Sequence, residues 1–209
     1  MSPKRRYDPD AARRDILDAA EELFTERGFG DVSTATIAKA AGVSQSQIHY
    51  HFETKRGLYY EVFRRRFAEY FEVQAELLAR IDEEGIERMR ASVVAYFRFF
   101  QEHPRFAKLM MRANLDAVHD KVDEPMTGAL LRSGAEVIAD SQRRGEIRDD
   151  VPADFILLQF LALVAYWFYN REHHLADLER SGPHESHDEA YLEGVLKVYL
   201  QGIAPPRGS

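Results

Sequence analysis

Six residues in a stretch of seven carry hydrogen-bonding side chains: Gln45, Ser46, Gln47, His49, Tyr50 and His51. Their carboxamides, hydroxyls and imidazoles both donate and accept. Such a set suits the base edges of a DNA groove, where a Gln amide can pair bidentately with adenine N6 and N7. Within the same stretch only Ile48 and Phe52, four residues apart, are clearly apolar. They would hold a short helix down along one edge and leave the rest outward. Other chemistries have less support. The chain has no HExxH, nucleophile elbow or phosphate-cradling glycine loop. The Asp149–Asp150 pair falls in an expected turn. His173, His174, His184 and His187 invite a metal site, but two of them sit in an expected Gly-Pro-Ser loop without a distinctive carboxylate pattern, which favours solvated histidines. There is no cysteine, so disulfides, zinc fingers and thiol chemistry are excluded. No cofactor or metal is expected.

The elements that would position these groups are legible on both sides. Ser33 is a good N-cap for a helix over Thr34–Ala41 that places Ile37, Ala38 and Ala41 on one face. Gly42 supplies the positive φ that ends it, Val43 turns back as an apolar anchor, and Ser44 can cap the next helix. Two short helices around such a turn are the helix-turn-helix pattern, whose second helix enters the major groove. Thr34, beside free N–H groups at a helix N-terminus, suits a phosphate. Lys55 opens the following helix, where its ammonium and the helix N-terminus would face one backbone oxygen together.

The segments GFGDVS, TIAKAAGVS and IHYHFETKRGLYYEVF resemble, as a set in register, the DNA-binding region of the TetR family of bacterial transcriptional regulators. The resemblance covers roughly residues 10–65. It implies phosphate contacts at Thr34, Tyr50, His51 and Lys55. Ser46 and His49 depart from the Gly and Tyr common at those family positions, and both bear on the operator sequence. The resemblance also implies an effector pocket in the remaining part of the chain.

Composition agrees with a folded DNA-binding protein once the charge is divided. Hydrophobic content of 45% over 209 residues supports a proper core. The net charge is −7, yet residues 1–66 hold 12 Lys+Arg against 10 Asp+Glu, while residues 67–209 hold 16 against 25. An acidic body limits indiscriminate phosphate binding and leaves affinity to a few placed contacts. The N-terminus lacks an apolar signal segment, and the longest apolar run, residues 155–169, is shorter than the ~20 residues of a membrane span. A cytoplasmic protein with no membrane partner is expected. Lys4, Arg5 and Arg6 form either a DNA-touching arm or a solubilising tail, and Arg64, Arg65 and Arg66 read as a solvated helix face.

The fold expected is all-α, about nine helices, with an N-terminal three-helix helix-turn-helix head on a larger helical-bundle body. The boundaries expected are 8–54 for the DNA-binding domain and 55–209 for the ligand-binding and dimerisation domain. Helical periods mark helices over 10–27, 34–41, 45–52, 55–81, 86–100, from Pro104, 125–144, 153–174 and 188–203. Phe97, Phe100, Phe106, Met110, Met111, Asn114, Gln159, Leu163 and Trp167 are candidates to line an effector pocket, with plain core the alternative for each. Arg112 has no settled direction from helical phase. Leu192, Val195, Leu196 and Tyr199 of the last helix, with the apolar eighth helix, suggest a two-fold dimer interface. The function expected is a homodimeric repressor that reads a pseudo-palindromic operator in double-stranded DNA and is released by a small apolar effector. The alternative is an all-α carrier or enzyme reusing the bundle, which would have no need of the polar face from Gln45 to His51.

Overall fold

A computed structural model describes residues 8–79, 85–115 and 124–206, with side chains omitted at 77–79, 114–115, 124–127 and 129–130. The described residues form helices α1 (Pro9–Arg27), α2 (Thr34–Ala41), α3 (Gln45–Phe52), α4 (Lys55–Ala79), α5 (Gly85–Glu102), α6 (Pro104–Leu115), α7 (Glu124–Arg143), α8 (Ala153–Asp177) and α9 (His184–Ile203), and no strand. The expectations for Lys4, Arg5 and Arg6, for a break at 120–123 and for the Asn114 side chain lie outside the described residues.

These residues pack as two compact units. One holds 8–69 with 108–115; the other holds 70–107 with 124–206. The first unit therefore extends past the 54/55 boundary expected from the sequence and keeps the opening turns of α4. Its helix ends follow local chemistry. Asp8 accepts the Asp10 and Ala11 N–H groups, both at 3.1 Å, and Pro9 opens α1 where no N–H is needed. Ser33 Oγ accepts the Thr36 N–H at 3.1 Å, and Gly42 ends α2 at φ 67°. The core joins Ile16, Leu17, Ala20 and Phe24 of α1 to Ile37, Ile48, Leu58 and Val62. Phe24, Phe29 and Tyr59 meet ring to ring within 5.8 Å.

Ion pairs fasten α1 to α4. Glu21, only 4% exposed, accepts from Arg65 at 2.7 Å and Arg66 at 2.8 Å, and Arg65 also reaches Asp18 at 2.6 Å. Arg64 pairs with Glu61, which also meets Arg13. The solvated face expected for Arg64, Arg65 and Arg66 thus holds for Arg64 alone, because Arg65 and Arg66 turn inward to a buried carboxylate. Arg112 donates to the carbonyls of Thr25 at 3.3 Å and Glu26 at 3.0 Å. It satisfies acceptors that the last turn of α1 cannot satisfy itself.

The second unit has an aromatic centre. Phe97, Phe100, Phe106 and Phe168 are almost fully buried, and Phe100 lies 5.9 Å from Phe106 and 6.1 Å from Phe168. Burial pushes the Tyr96 and Tyr70 phenols well above the ordinary range. Asp188, 1% exposed, accepts from Trp167 Nε1 at 2.8 Å and Arg171 at 2.5 Å, so its charge is paired and hydrogen-bonded. The last helix starts at His184, a turn before the expected 188. Pro183 is the N-cap residue, with extended backbone at φ −68° and ψ 144°, and its carbonyl accepts the Ser186 N–H at 3.2 Å. His184 and His187 therefore belong to α9, not to a loop. By length and composition α8 is apolar enough to cross a membrane. Core packing accounts for one side of it: Ile156, Phe160, Val164 and Phe168 are buried in this unit.

Candidate functional site

The short helix α3 is anchored as its two apolar residues dictate: Ile48 and Phe52 are buried, while Gln45, Ser46, His49 and Tyr50 are exposed, Tyr50 by 77%. Gln47 and His51 are half-buried. Several of these polar groups also bond within the head. Gln45 Nε2 donates to Thr34 Oγ1 at 2.8 Å, tying the start of α3 to the start of α2. Gln47 Oε1 accepts from the Ser44 N–H at 2.8 Å and from the Ser44 hydroxyl at 3.1 Å. Ser46 and Ser44 share a hydroxyl contact at 2.9 Å. His49 donates from Nδ1 to the Glu53 carbonyl at 3.1 Å, which selects the Nδ1–H tautomer.

Behind α3 the chain turns sharply. Glu53 takes φ 59°, in the left-handed region that glycine favours, and closes α3 by donating its N–H to the His49 carbonyl. A Cβ on Gly57 would lie 2.5 Å from the Phe52 carbonyl oxygen, so the approach of α4 to the end of α3 requires glycine there. Lys55 Nζ donates to the Phe29 carbonyl at 2.8 Å and lies 4.2 Å from the centre of the Phe29 ring. The ammonium keeps two further donors. The head thus gathers Thr34, Gln45, Ser46, Tyr50 and Lys55 around the turn, with Gln45, Ser46 and Tyr50 exposed and Thr34 and Lys55 half-buried.

Of the nine residues expected to line an effector pocket, the eight whose side chains are described fall into separate environments. Phe97, Phe100 and Phe106 fill the aromatic centre of the second unit. Gln159 and Leu163 instead face a groove of about 910 Å³ between α8 and α9, and Trp167 borders both. Met110 and Met111 belong to the first unit. Helical phase explains the division, since Gln159 and Leu163 share one face of α8 and Phe160, Val164 and Phe168 another.

Of the dimer candidates, Leu192, Val195 and Tyr199 are buried within the chain and Leu196 half-buried. Tyr199 donates to the Ile156 carbonyl at 2.6 Å, and burial pushes its phenol up. The apolar surface expected over 155–169 and 191–203 is exposed at Phe155, Leu158, Tyr166 and Val198, the last by 77%, while sequence reasoning missed Leu178 and the small residues beside Val198. The signal was present as Ala190, Gly194, Val198 and Gly202, four apart on α9. A Cβ on Gly194 or Gly202 would meet nothing within 4 Å. Among the histidines, His174 Nε2 lies 3.3 Å from the Tyr166 hydroxyl and His187 Nε2 lies 3.2 Å from the Ser181 carbonyl. Among the described residues no three of His, Asp and Glu gather as a metal site would require.

A helix-turn-helix head with an outward polar second helix, joined to an all-α body, defines a DNA-binding transcriptional regulator. Residues 16–62 match the model of bacterial regulatory proteins of the tetR family, and residues 89–195 match the tetracyclin repressor-like C-terminal domain. The chain belongs to the TetR family of bacterial transcriptional regulators. It is 26% identical over 175 residues to the transcriptional repressor NicS of Pseudomonas putida, covering 81% of each chain. It is 30% identical over 132 residues to the transcriptional activator FasR of Mycolicibacterium smegmatis, covering 63% of this chain and 57% of that one. The fold is similar to that of the regulator FadR from Bacillus subtilis, solved in complex with stearoyl-CoA, with a TM-score of 0.72 at 18% identity over 91% of this chain and 98% of that one.

Proposed function

We infer that the protein works in the cytoplasm as a homodimer on a pseudo-palindromic duplex and leaves it when a small apolar compound occupies the body. The observation that carries this reading is the pairing of two unsatisfied surfaces on one chain: the polar face of α3 and the apolar face of α8 and α9. Bases and phosphates suit the first. A second copy suits the second, because large exposed apolar patches mark interaction sites. Gly194 and Gly202 support the second copy further. Glycine inside a helix costs roughly 0.5–1 kcal/mol relative to alanine, and the chain itself leaves room for a Cβ at both. The space serves a close helix from outside.

A dimer presents two copies of α3 about one helical turn of DNA apart, roughly 34–36 Å, which is what reading a pseudo-palindrome requires. A ligand that prefers the state with a different separation releases the duplex by population shift. The effector class rests on the aromatic centre around Phe97, Phe100 and Phe106, which offers rings and few charges. A ligand there has to part rings that now touch. The stearoyl-CoA complex of the Bacillus subtilis regulator supports an apolar chain as the occupant. No residue in 153–170 is Lys or Arg, and Arg171, which follows on α8 and lies over the Phe168 ring, is already paired with Asp188.

The test is a mobility shift with the full chain on a duplex selected from a randomised library. Two chains per duplex, released by fatty acyl compounds or aromatics and not by sugars, is the expected result. Selection of no sequence overturns the DNA reading, and release by sugars alone overturns the effector class.

A further inference from the structure

The two glutamines of α3 look alike in sequence and differ in their hydrogen bonding. Gln47 Oε1 takes two donors from Ser44, the backbone N–H at 2.8 Å and the hydroxyl at 3.1 Å. A carboxamide oxygen has two lone pairs, so both are occupied. Pairing with adenine needs that oxygen to accept from N6 while the amide nitrogen donates to N7. Gln47 can pair so only by giving up one of these two donors, either the Ser44 N–H, which has no partner within the helix, or the Ser44 hydroxyl, which would turn to Ser46 Oγ at 2.9 Å. Gln45 is the reverse. It gives one N–H to Thr34 Oγ1 at 2.8 Å and keeps its oxygen and the other N–H, the two groups that adenine requires. The Thr34 contact also fixes the direction of the amide before DNA arrives, so little rotamer freedom remains to be lost on binding.

We propose that Gln45, pinned by Thr34, is the base-specifying residue of α3, and that Gln47 is a positioning residue that caps the helix. This rests on the DNA-binding reading above. At the other end His49 holds the Glu53 carbonyl in the same positioning manner, at 3.1 Å. Two of the polar residues of α3 thus set where the helix begins and ends, and Gln45 does the reading beside Ser46 and Tyr50.

The two roles separate by substitution. Glutamate at the third helical position caps as well as glutamine does, but it repels the adenine N7 acceptor. The full chain selects a duplex from a randomised library, and binding is then measured for wild type, Gln45→Ala, Gln47→Glu and Gln47→Ala. The duplexes are the selected one, its single base-pair variants, and a version with 7-deazaadenine at each selected adenine. Gln45→Ala is expected to lose roughly 5- to 150-fold on the selected duplex, to flatten preference at one base pair per half-site, and to become insensitive to 7-deazaadenine there. Gln47→Glu is expected to keep the wild-type order of preference and the wild-type melting temperature of the head, with affinity lowered equally on all duplexes by its charge. Gln47→Ala lowers the melting temperature and leaves the order of preference intact. The assignment is overturned if either Gln47 variant changes preference at a base pair, or if Gln45→Ala keeps its sensitivity to 7-deazaadenine. If wild type selects no sequence at all, the DNA-binding reading fails first and this division with it.

Discussion

Helices α3 and α8 both expose what an isolated globular chain has no use for, but in opposite senses. In α3 two buried side chains hold eight residues, and everything outward is polar. In α8 the outer face carries Phe155, Leu158, Leu163 and Tyr166 while the inner face is already buried. A polar face has value when it meets groups that must be recognised one by one, such as base edges. An apolar face has value when area is to be removed from water, at about 25 cal/mol per Å². The difference teaches that burial alone does not rank surfaces by importance. What matters is which partner each surface leaves unsatisfied. The means of support differ too. The head is clamped by charge, through Glu21 and Glu61, and the body by rings around Phe100.

The sharpest break of the comparison is on the apolar side. Val198→Glu places a charge on the α9 face, where an unpaired buried charge is prohibitive. The expected outcome is a monomer by light scattering at micromolar concentration, with the dimer weakened by at least about 100-fold, or about 2.7 kcal/mol. The chain itself stays folded, because Val198 is exposed within it. A wild-type monomer under the same conditions removes the second half of the comparison altogether.

Next in size is the charge clamp of the head. Glu21→Ala leaves Arg65 and Arg66 without their shared acceptor. Their side chains are 20% and 19% exposed, so water recovers part of the loss. Head stability is expected to fall by about 1.5–3 kcal/mol, the range for hydrogen bonds to charged groups. Denaturation followed at both units distinguishes this from a loss in the aromatic body. Gly57→Ala drives a Cβ onto the Phe52 carbonyl, which is backbone and cannot rotate away. A cost of more than about 1 kcal/mol is expected, with DNA binding falling in step because the end of α3 moves. Binding unchanged by this substitution would show that the turn behind α3 is slack.

The smallest effect carries a pH signature. The Arg64 hydrogen bond, aided by the charges of Arg64 and Arg13 and opposed by burial, holds the Glu61 carboxyl below the ordinary carboxylate range. A folded pKa below the unfolded one contributes stability above the unfolded value, and that contribution disappears as pH falls through the folded value. Glu61→Gln is therefore expected to lower stability at neutral pH by no more than about 1 kcal/mol, since the pair is partly exposed. The gap to wild type should close as pH falls through and below the ordinary glutamate range. A gap that widens on acidification would assign Glu61 the opposite role.

Much of this was legible in the residues. Ser33, Gly42 and Pro104 mark helix ends because capping, left-handed φ and the missing proline N–H act locally. The outward polar face of α3 followed from Ile48 and Phe52 alone. The early start of α9 at His184 was hidden, since histidine and serine after Gly182–Pro183 read equally as loop. Gln159, Leu163 and Trp167 were grouped with Phe97, Phe100 and Phe106 as one wall by composition, whereas these three residues of α8 line the α8–α9 groove.

The sequence by itself determined the helix-turn-helix, the family and the all-α class, because caps, turn residues and apolar periodicity are short-range and act within a few residues. Tertiary structure alone decided the partners of the charged and amide groups. Arg65 and Arg66 find Glu21 more than 40 residues away, and Arg112 finds Thr25 and Glu26 across 86 residues or more. It also brought Gln45 to Thr34, eleven residues away, whereas the bond of Gln47 to Ser44 is a local capping box. Such choices depend on which donors and acceptors packing brings within hydrogen-bond distance, and no local propensity encodes that.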